Sequence, residues 1–152
     1  MIFIMAKIKE KLSRELIDFL QGERIISLIT INKETKKPTV STISWLIAQE
    51  SGEKIKFALG HKASSIQNIE SDPYVVLNVV GPGSCFEITG TGTVSEIMQG
   101  TMKYRVVTVD IESVEDIIFY GGKINAVPGY EKTYDPELAK KIDNEIYTVL
   151  KG

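Results

Sequence analysis

From Arg24 to Ile97 the chain repeats one pattern, and that pattern limits its fold more than any other feature. Segments 24–32, 39–48, 54–59, 74–80 and 85–97 are each β-branched or alternating in polarity and bounded by turn residues, as half-buried strands require. The joins at 32–38 and 49–53 are short and polar. Parallel strands need long crossovers, so joins of this length predict antiparallel hairpins. Segment 104–120 is again rich in Val and Ile with Asp and Glu interleaved, which predicts one long bent strand or two short ones. Six or seven antiparallel strands with few helices predict a mainly β protein, a closed or nearly closed barrel.

Three helices interrupt or flank the strands. Residues 13–21 carry Leu16, Ile17 and Leu20 at helical spacing, with Ser13 as N-cap and Gly22 where a left-handed residue ends a helix. Segment 60–73 holds a second short helix, with Ile66 and Ile69 three apart and Pro73 stopping it. Asp135-Pro136-Glu137 is a strong helix start, and Leu138, Ile142, Ile146 and Val149 form the expected apolar stripe. Residues 121–134 contain three glycines and a proline and are expected to be loop. Within or beside that loop, Tyr120 to Lys123 and Pro128 to Tyr130 are either a ligand-covering lid or a plain connection.

The chain has 152 residues, 43% of them apolar, so residues 1–152 are expected to form one domain around one core. Lys plus Arg (18) nearly balances Asp plus Glu (20), which argues against a nucleic-acid backbone as partner. One cysteine, Cys85, and one histidine, His61, are too few for a disulfide, a Cys-based zinc site or a histidine-rich metal site, and no metal is expected. The apolar opening from Met1 to Met5 lacks the cationic start and cleavage site of a signal peptide, and either Met1 or Met5 can be the first residue of the protein. No apolar run approaches membrane-spanning length, so the expected setting is soluble and cytoplasmic, with no membrane partner.

The chemistry concentrates in Gly60-His61-Lys62-Ala63-Ser64-Ser65-Ile66-Gln67-Asn68-Ile69. A lysine, two hydroxyls and free backbone amides at a helix start suit a phosphate group. The plainer alternative is a solvent-exposed helix capped by Ser64 or Ser65, with Lys62 an ordinary surface lysine. Trp45 in its alternating strand reads as core before ligand cover. The acidic run Asp110, Glu112, Glu115 and Asp116 reads as a solvated strand face.

The order of features around that helix resembles the pyridoxamine 5'-phosphate oxidase-like FMN-binding split barrels. They are the strand Pro38 to Trp45, the strand end Phe57-Ala58-Leu59-Gly60, Lys62, Asn68-Ile69, Asp72-Pro73-Tyr74-Val75 and Phe86-Glu87-Ile88-Thr89-Gly90-Thr91-Gly92. The resemblance covers Arg24 to Ile97 and implies a split β-barrel with N-terminal, inserted and C-terminal helices. It implies FMN as cofactor, with Lys62 and Ser64 or Ser65 at the phosphate and Ser41, Thr42, Ile43 and Ser44 along the flavin ring. His61 stands where many members have arginine, a poorer anion partner when neutral. Cys85 maps near the ring edge supplied by a partner subunit, or is simply a small buried apolar residue. A homodimer is likewise implied.

The function so implied is that of an FMN-dependent oxidoreductase or flavin reductase-like protein, with no catalytic side chain identified. A module that stores or senses flavin, haem or a deazaflavin without catalysis is the alternative, and a purely structural barrel the third. Oxidation of pyridoxamine phosphate is not expected, because the basic, Trp-containing C-terminal segment of those enzymes is missing: neither Trp nor Arg follows Arg105.

Overall fold

The computed structural model describes residues 8–152, so the choice between Met1 and Met5 lies outside the described residues. In chain order the elements are β1 (Ile8–Lys9), α1 (Arg14–Phe19), β2 (Ile26–Ile31), β3 (Pro38–Ile43), β4 (Leu46–Ala48), β5 (Lys54–Gly60), α2 (Ser64–Ser71), β6 (Tyr74–Val80), β7 (Cys85–Val94), β8 (Tyr104–Asp116) and α3 (Pro136–Lys151). Among the described residues all the strands join one curled antiparallel sheet in the order β3-β2-β6-β7-β8-β5-β4, with β1 added beside β8. This is a split barrel of seven principal strands with flanking helices.

The expected strand 39–48 is in fact two. Pro38–Ile43 pairs with β2, whereas Leu46–Ala48 pairs with β5 at the opposite edge of the sheet. The run has no Gly or Pro to announce the change. Instead Ser44 and Trp45 carry the chain across the opening, and Trp45 re-enters the ladder by accepting from Ala58 N–H at 2.9 Å. Segment 104–120 resolves as the single-strand option, ending at Asp116 and bent by a register shift against β7 between Thr89 and Gly90. There a Cβ on Gly90 would lie 2.3 Å from the Asp110 carbonyl oxygen, so the residue at the bulge must be glycine.

The interior is filled from all sides. Leu16, Ile17 and Leu20 of the α1 region, Ile26 and Leu28 of β2, Ile55 and Phe57 of β5, Ile66 and Ile69 of α2, and Leu77, Ile88, Val107 and Val109 of β6 to β8 form one buried cluster. Ser13 caps α1 by accepting from Leu16 N–H at 3.2 Å, and Gly22 takes a φ of +94°, both as expected.

A second cluster lies on the outer face of the β4-β5-β8 half, where α3 buries Ile142, Ile146 and Leu150 on Ile47, Ala58, Tyr104 and Val106. Asp135 caps α3 through its carboxylate, 2.9 Å from Leu138 N–H. The buried stripe is Ala139, Ile142, Ile146 and Leu150 rather than the one anticipated: Leu138 is exposed and Val149 half-buried. Among the described residues no helix covers the outer face of the β3-β2-β6-β7 half, and Val40 and Tyr74 stand exposed there beside half-buried Ile29 and Val76.

Candidate functional site

Among the described residues strand β3 is an edge, paired with β2 alone, so alternate backbone N–H and C=O groups point away from the sheet. The C-terminal end of the strand borders a cleft of about 340 Å³ lined by Thr42, Ile43, Ser44 and Trp45 on one side and Ala58, Leu59 and Gly60 on another. Ile43 turns its side chain into the core and offers the cleft its backbone, while Thr42 is exposed and Ser44 half-buried.

Helix α2 follows directly from the floor of this cleft. Its N-cap is Ala63, which has no side chain to bond the first turn, so neither serine caps the helix through its hydroxyl. Ser65 is buried, and its Oγ lies 2.9 Å from Ser41 Oγ, tying the helix to β3. Ser64 and Lys62 are exposed at the helix start, and among the described residues Lys62 joins no ion pair. The positive end of the helix dipole therefore lies beside an exposed lysine and an exposed serine, while Ile66 N–H is already bonded to the Ala63 carbonyl at 3.1 Å.

Asn68 fixes the helix from below. Buried at 3% exposure, it donates from Nδ2 to Thr30 Oγ1 at 3.1 Å and accepts from Lys33 N–H at 3.0 Å. On the far side Ile69 packs close to Gly92, where a Cβ would come within 3.1 Å of its Cγ2. The glycine of the Thr91-Gly92 step thus lets α2 settle on β7.

Of the expected site residues, Ser41, Thr42 and Ile43 lie on β3, Ser44 in the corner just after it, and Lys62, Ser64 and Ser65 at the α2 start; Thr42, Ile43 and Ser44 line the cleft, whereas Ser41, Lys62, Ser64 and Ser65 lie outside its lining. His61 is half-buried, with its Nδ1 3.3 Å from the Lys103 carbonyl oxygen, a hydrogen bond when that nitrogen carries the proton. Cys85 is not brought to this cleft. It sits opposite Val80, and Ile43 is joined to its neighbour Phe86 through Ile26 and Val79. Three strand spacings, about 14 Å, separate them within one chain.

The remaining wall comes from the loop, where the sequence offers Pro128 to Tyr130 as a lid or a plain connection and does not single out Lys132 or Tyr134. Tyr130, Lys132 and Tyr134 of the loop line the cleft opposite Trp45. Tyr130 Oη hydrogen-bonds with Ser44 Oγ and donates to Glu23 Oε2 at 2.7 Å. Asp143 of α3 accepts from Lys132 Nζ at 2.7 Å and from Trp45 Nε1 at 2.9 Å. Tyr147 accepts from Glu23 N–H at 3.1 Å and donates to the Ser44 carbonyl at 3.4 Å. Glu23, the hub, holds a φ of +59°, an uncommon conformation for a residue with a side chain.

Burial, with the Glu23 carboxylate nearby, pushes the phenols of Tyr130 and Tyr147 up to about 12. Burial also opposes charge on Lys132, but the hydrogen bond and charge of Asp143, with Glu23 and Tyr134 behind, outweigh it and raise the ammonium above its ordinary value. These partners lie 86 to 107 residues apart along the chain for Ser44, Trp45 and Glu23, so no local sequence signal could have found them. The other half of the anticipated lid, Tyr120 to Lys123, does not line the cleft.

Fold and site together define a split barrel with an open edge strand above an uncapped helix start. No family model and no curated protein sequence matches the chain, but solved structures do. A putative pyridoxamine 5'-phosphate oxidase from Lactobacillus delbrueckii aligns at 18% identity over 70% of this chain and 94% of that one, with a TM-score of 0.59. An F420 reductase aligns at 17% identity over 64% and 94%, TM-score 0.51. HupZ from Group A Streptococcus aligns at 12% identity over 75% and 99%, TM-score 0.60. At these identities the likeness establishes the fold: the structural neighbours are pyridoxamine 5'-phosphate oxidase-like and related split-barrel proteins.

Proposed function

We propose that the protein binds FMN in the β3 cleft and acts as an FMN-dependent oxidoreductase or flavin reductase-like protein. The observation that carries this reading is the Ser41–Ser65 hydrogen bond, because it places a free strand edge and an uncapped helix start side by side. An edge strand offers the N–H and C=O groups that a flavin ring edge pairs with. The helix start, with Lys62 and Ser64, offers positive charge and donors to a phosphate monoester. Leu59 and Trp45 supply the apolar and aromatic surface around the ring. When bound, FMN supplies the electron transfer, and the chain's part is to bind, orient and shield it.

Two further elements belong to the same proposal. The outer face of the β3-β2-β6-β7 half, left open by α3, is taken as the contact with a second copy, and Cys85 as a residue reaching the partner's flavin edge. The single free thiol suits a reducing cytoplasm. Among the described residues no helix is long and apolar enough to cross a membrane.

The cleft lining contains no His, Cys, Asp or Glu. That favours, as second reading, a module that holds FMN or a relative without catalysis, and the name of one neighbour makes F420 the relative to try first. Pyridoxamine phosphate oxidation is not proposed, since the C-terminal helix is committed to packing on β4, β5 and β8. The deciding experiment is an absorbance spectrum after FMN addition and desalting, followed by NADH or NADPH. Retained flavin reduced by a nicotinamide and reoxidised by an acceptor supports the enzyme, inert flavin supports the module, and a protein that never retains flavin refutes both.

A further inference from the structure

The wall that Tyr130, Lys132 and Tyr134 contribute is held in an unusual way. Residues 125–133 make no backbone-to-backbone hydrogen bond among the described residues; the bonds that hold this stretch are those of the Tyr130 and Lys132 side chains. A phenol has one proton and can accept in return. Tyr130 Oη lies 2.7 Å from a Glu23 carboxylate oxygen, which can only accept, so the phenol proton goes there. The contact with Ser44 then has a fixed sense: Ser44 donates its hydroxyl proton to Tyr130.

We propose that residues 125–134 form a strap over the cleft, latched by Tyr130, and that a ligand presenting a hydrogen-bond acceptor to the Ser44 hydroxyl competes with Tyr130 and opens the latch. The ligand half of this rests on the reading of the cleft as a flavin site, since the carbonyl and imine acceptors of a flavin ring are of that class. The strap half does not. Gly129 gives the strap room to swing, as nothing lies within 4 Å of the position of a Cβ there. Opening also frees Lys132 from Asp143, and Asp143 in turn holds the indole of Trp45. Trp45 is the only tryptophan in the chain, so its fluorescence reports the event.

The test compares wild type with Tyr130→Phe, which keeps the ring and removes both hydrogen bonds at an exposed position. Tryptic cleavage after Lys132 requires the strap to detach, and it is expected to run at least about fivefold faster in the variant, the factor that the loss of even one of the two hydrogen bonds would give. FMN association, followed by stopped-flow quenching of Trp45, is expected to quicken by a similar factor. Unchanged cleavage overturns the latch. Faster cleavage with unchanged association overturns its competition with the ligand. If neither form takes up FMN, the flavin reading and the ligand half fall together, and the cleavage rates still decide the strap.

Discussion

Replacing Asn68 by Ala tests whether the candidate phosphate-binding helix is anchored as described. The substitution removes two hydrogen bonds, to Thr30 Oγ1 at 3.1 Å and from Lys33 N–H at 3.0 Å. Their consequences differ. Lys33 is exposed, so water replaces its lost partner, at a cost of a few tenths of a kcal/mol. Thr30 is 1% exposed and its hydroxyl loses its side-chain partner in a site closed to solvent, which costs about 1–3 kcal/mol. With the small void left by the amide, Asn68→Ala should destabilise the fold by about 2–3 kcal/mol.

Thr30→Val in the same background removes the stranded hydroxyl. The double variant should therefore be less destabilised than the sum of the single ones, with a coupling of about 1 kcal/mol. Urea unfolding followed by circular dichroism measures all three. A loss below about 0.5 kcal/mol for Asn68→Ala, or strict additivity in the cycle, would refute the anchoring argument.

Three further outcomes are expected. Lys62→Ala should weaken FMN binding by about 1.5–3 kcal/mol in an equilibrium titration while leaving the unfolding midpoint unchanged; unaltered affinity would remove Lys62 from the site. Gly90→Ala forces a Cβ against the Asp110 carbonyl and should cost about 3 kcal/mol in thermal or urea unfolding; a neutral result would mean the bulge can shift. The raised phenol of Tyr147 makes a sign-specific pH prediction. Because the unfolded phenol ionises near 10 and the folded one near 12, its contribution is complete below pH 10 and is lost as pH rises towards 12, so Tyr147→Phe should show a shallower fall in stability over that window.

Much of the barrel could be read from residues alone, because half-buried strands advertise themselves by alternation and helices by their caps. Ser13, Gly22, Asp135 and the short helix after Gly60 behave as their local chemistry dictates. The corner at Ser44-Trp45 could not be read, since the run from Thr39 to Ala48 has uninterrupted strand character and only pairing with two different partners divides it. The shifted stripe of α3 has the same origin: which face is buried depends on β4, far away in sequence. Of the elements around the candidate site, the strand from Pro38 and the short helix after Gly60 were legible as elements, and their part in binding is the proposal above. The Glu23–Ser44–Tyr130 and Trp45–Asp143–Lys132 contacts were not legible, because they join segments about a hundred residues apart through side chains that look ordinary in isolation.

The place of β8 in the sheet has a bearing on how the protein comes into being. Without it, among the described residues, the sheet falls into β3-β2-β6-β7 and β4-β5, and β1 is left unpaired, since β8 joins β7, β5 and β1. A nascent chain must therefore wait until residue 116 has emerged before its halves can be stitched together, with two ragged sheet edges exposed meanwhile. Non-local pairing of this kind folds slowly. Overproduction at low temperature or with a holding chaperone should raise the soluble yield, and fragments ending before β8 should accumulate as aggregates rather than as half-barrels.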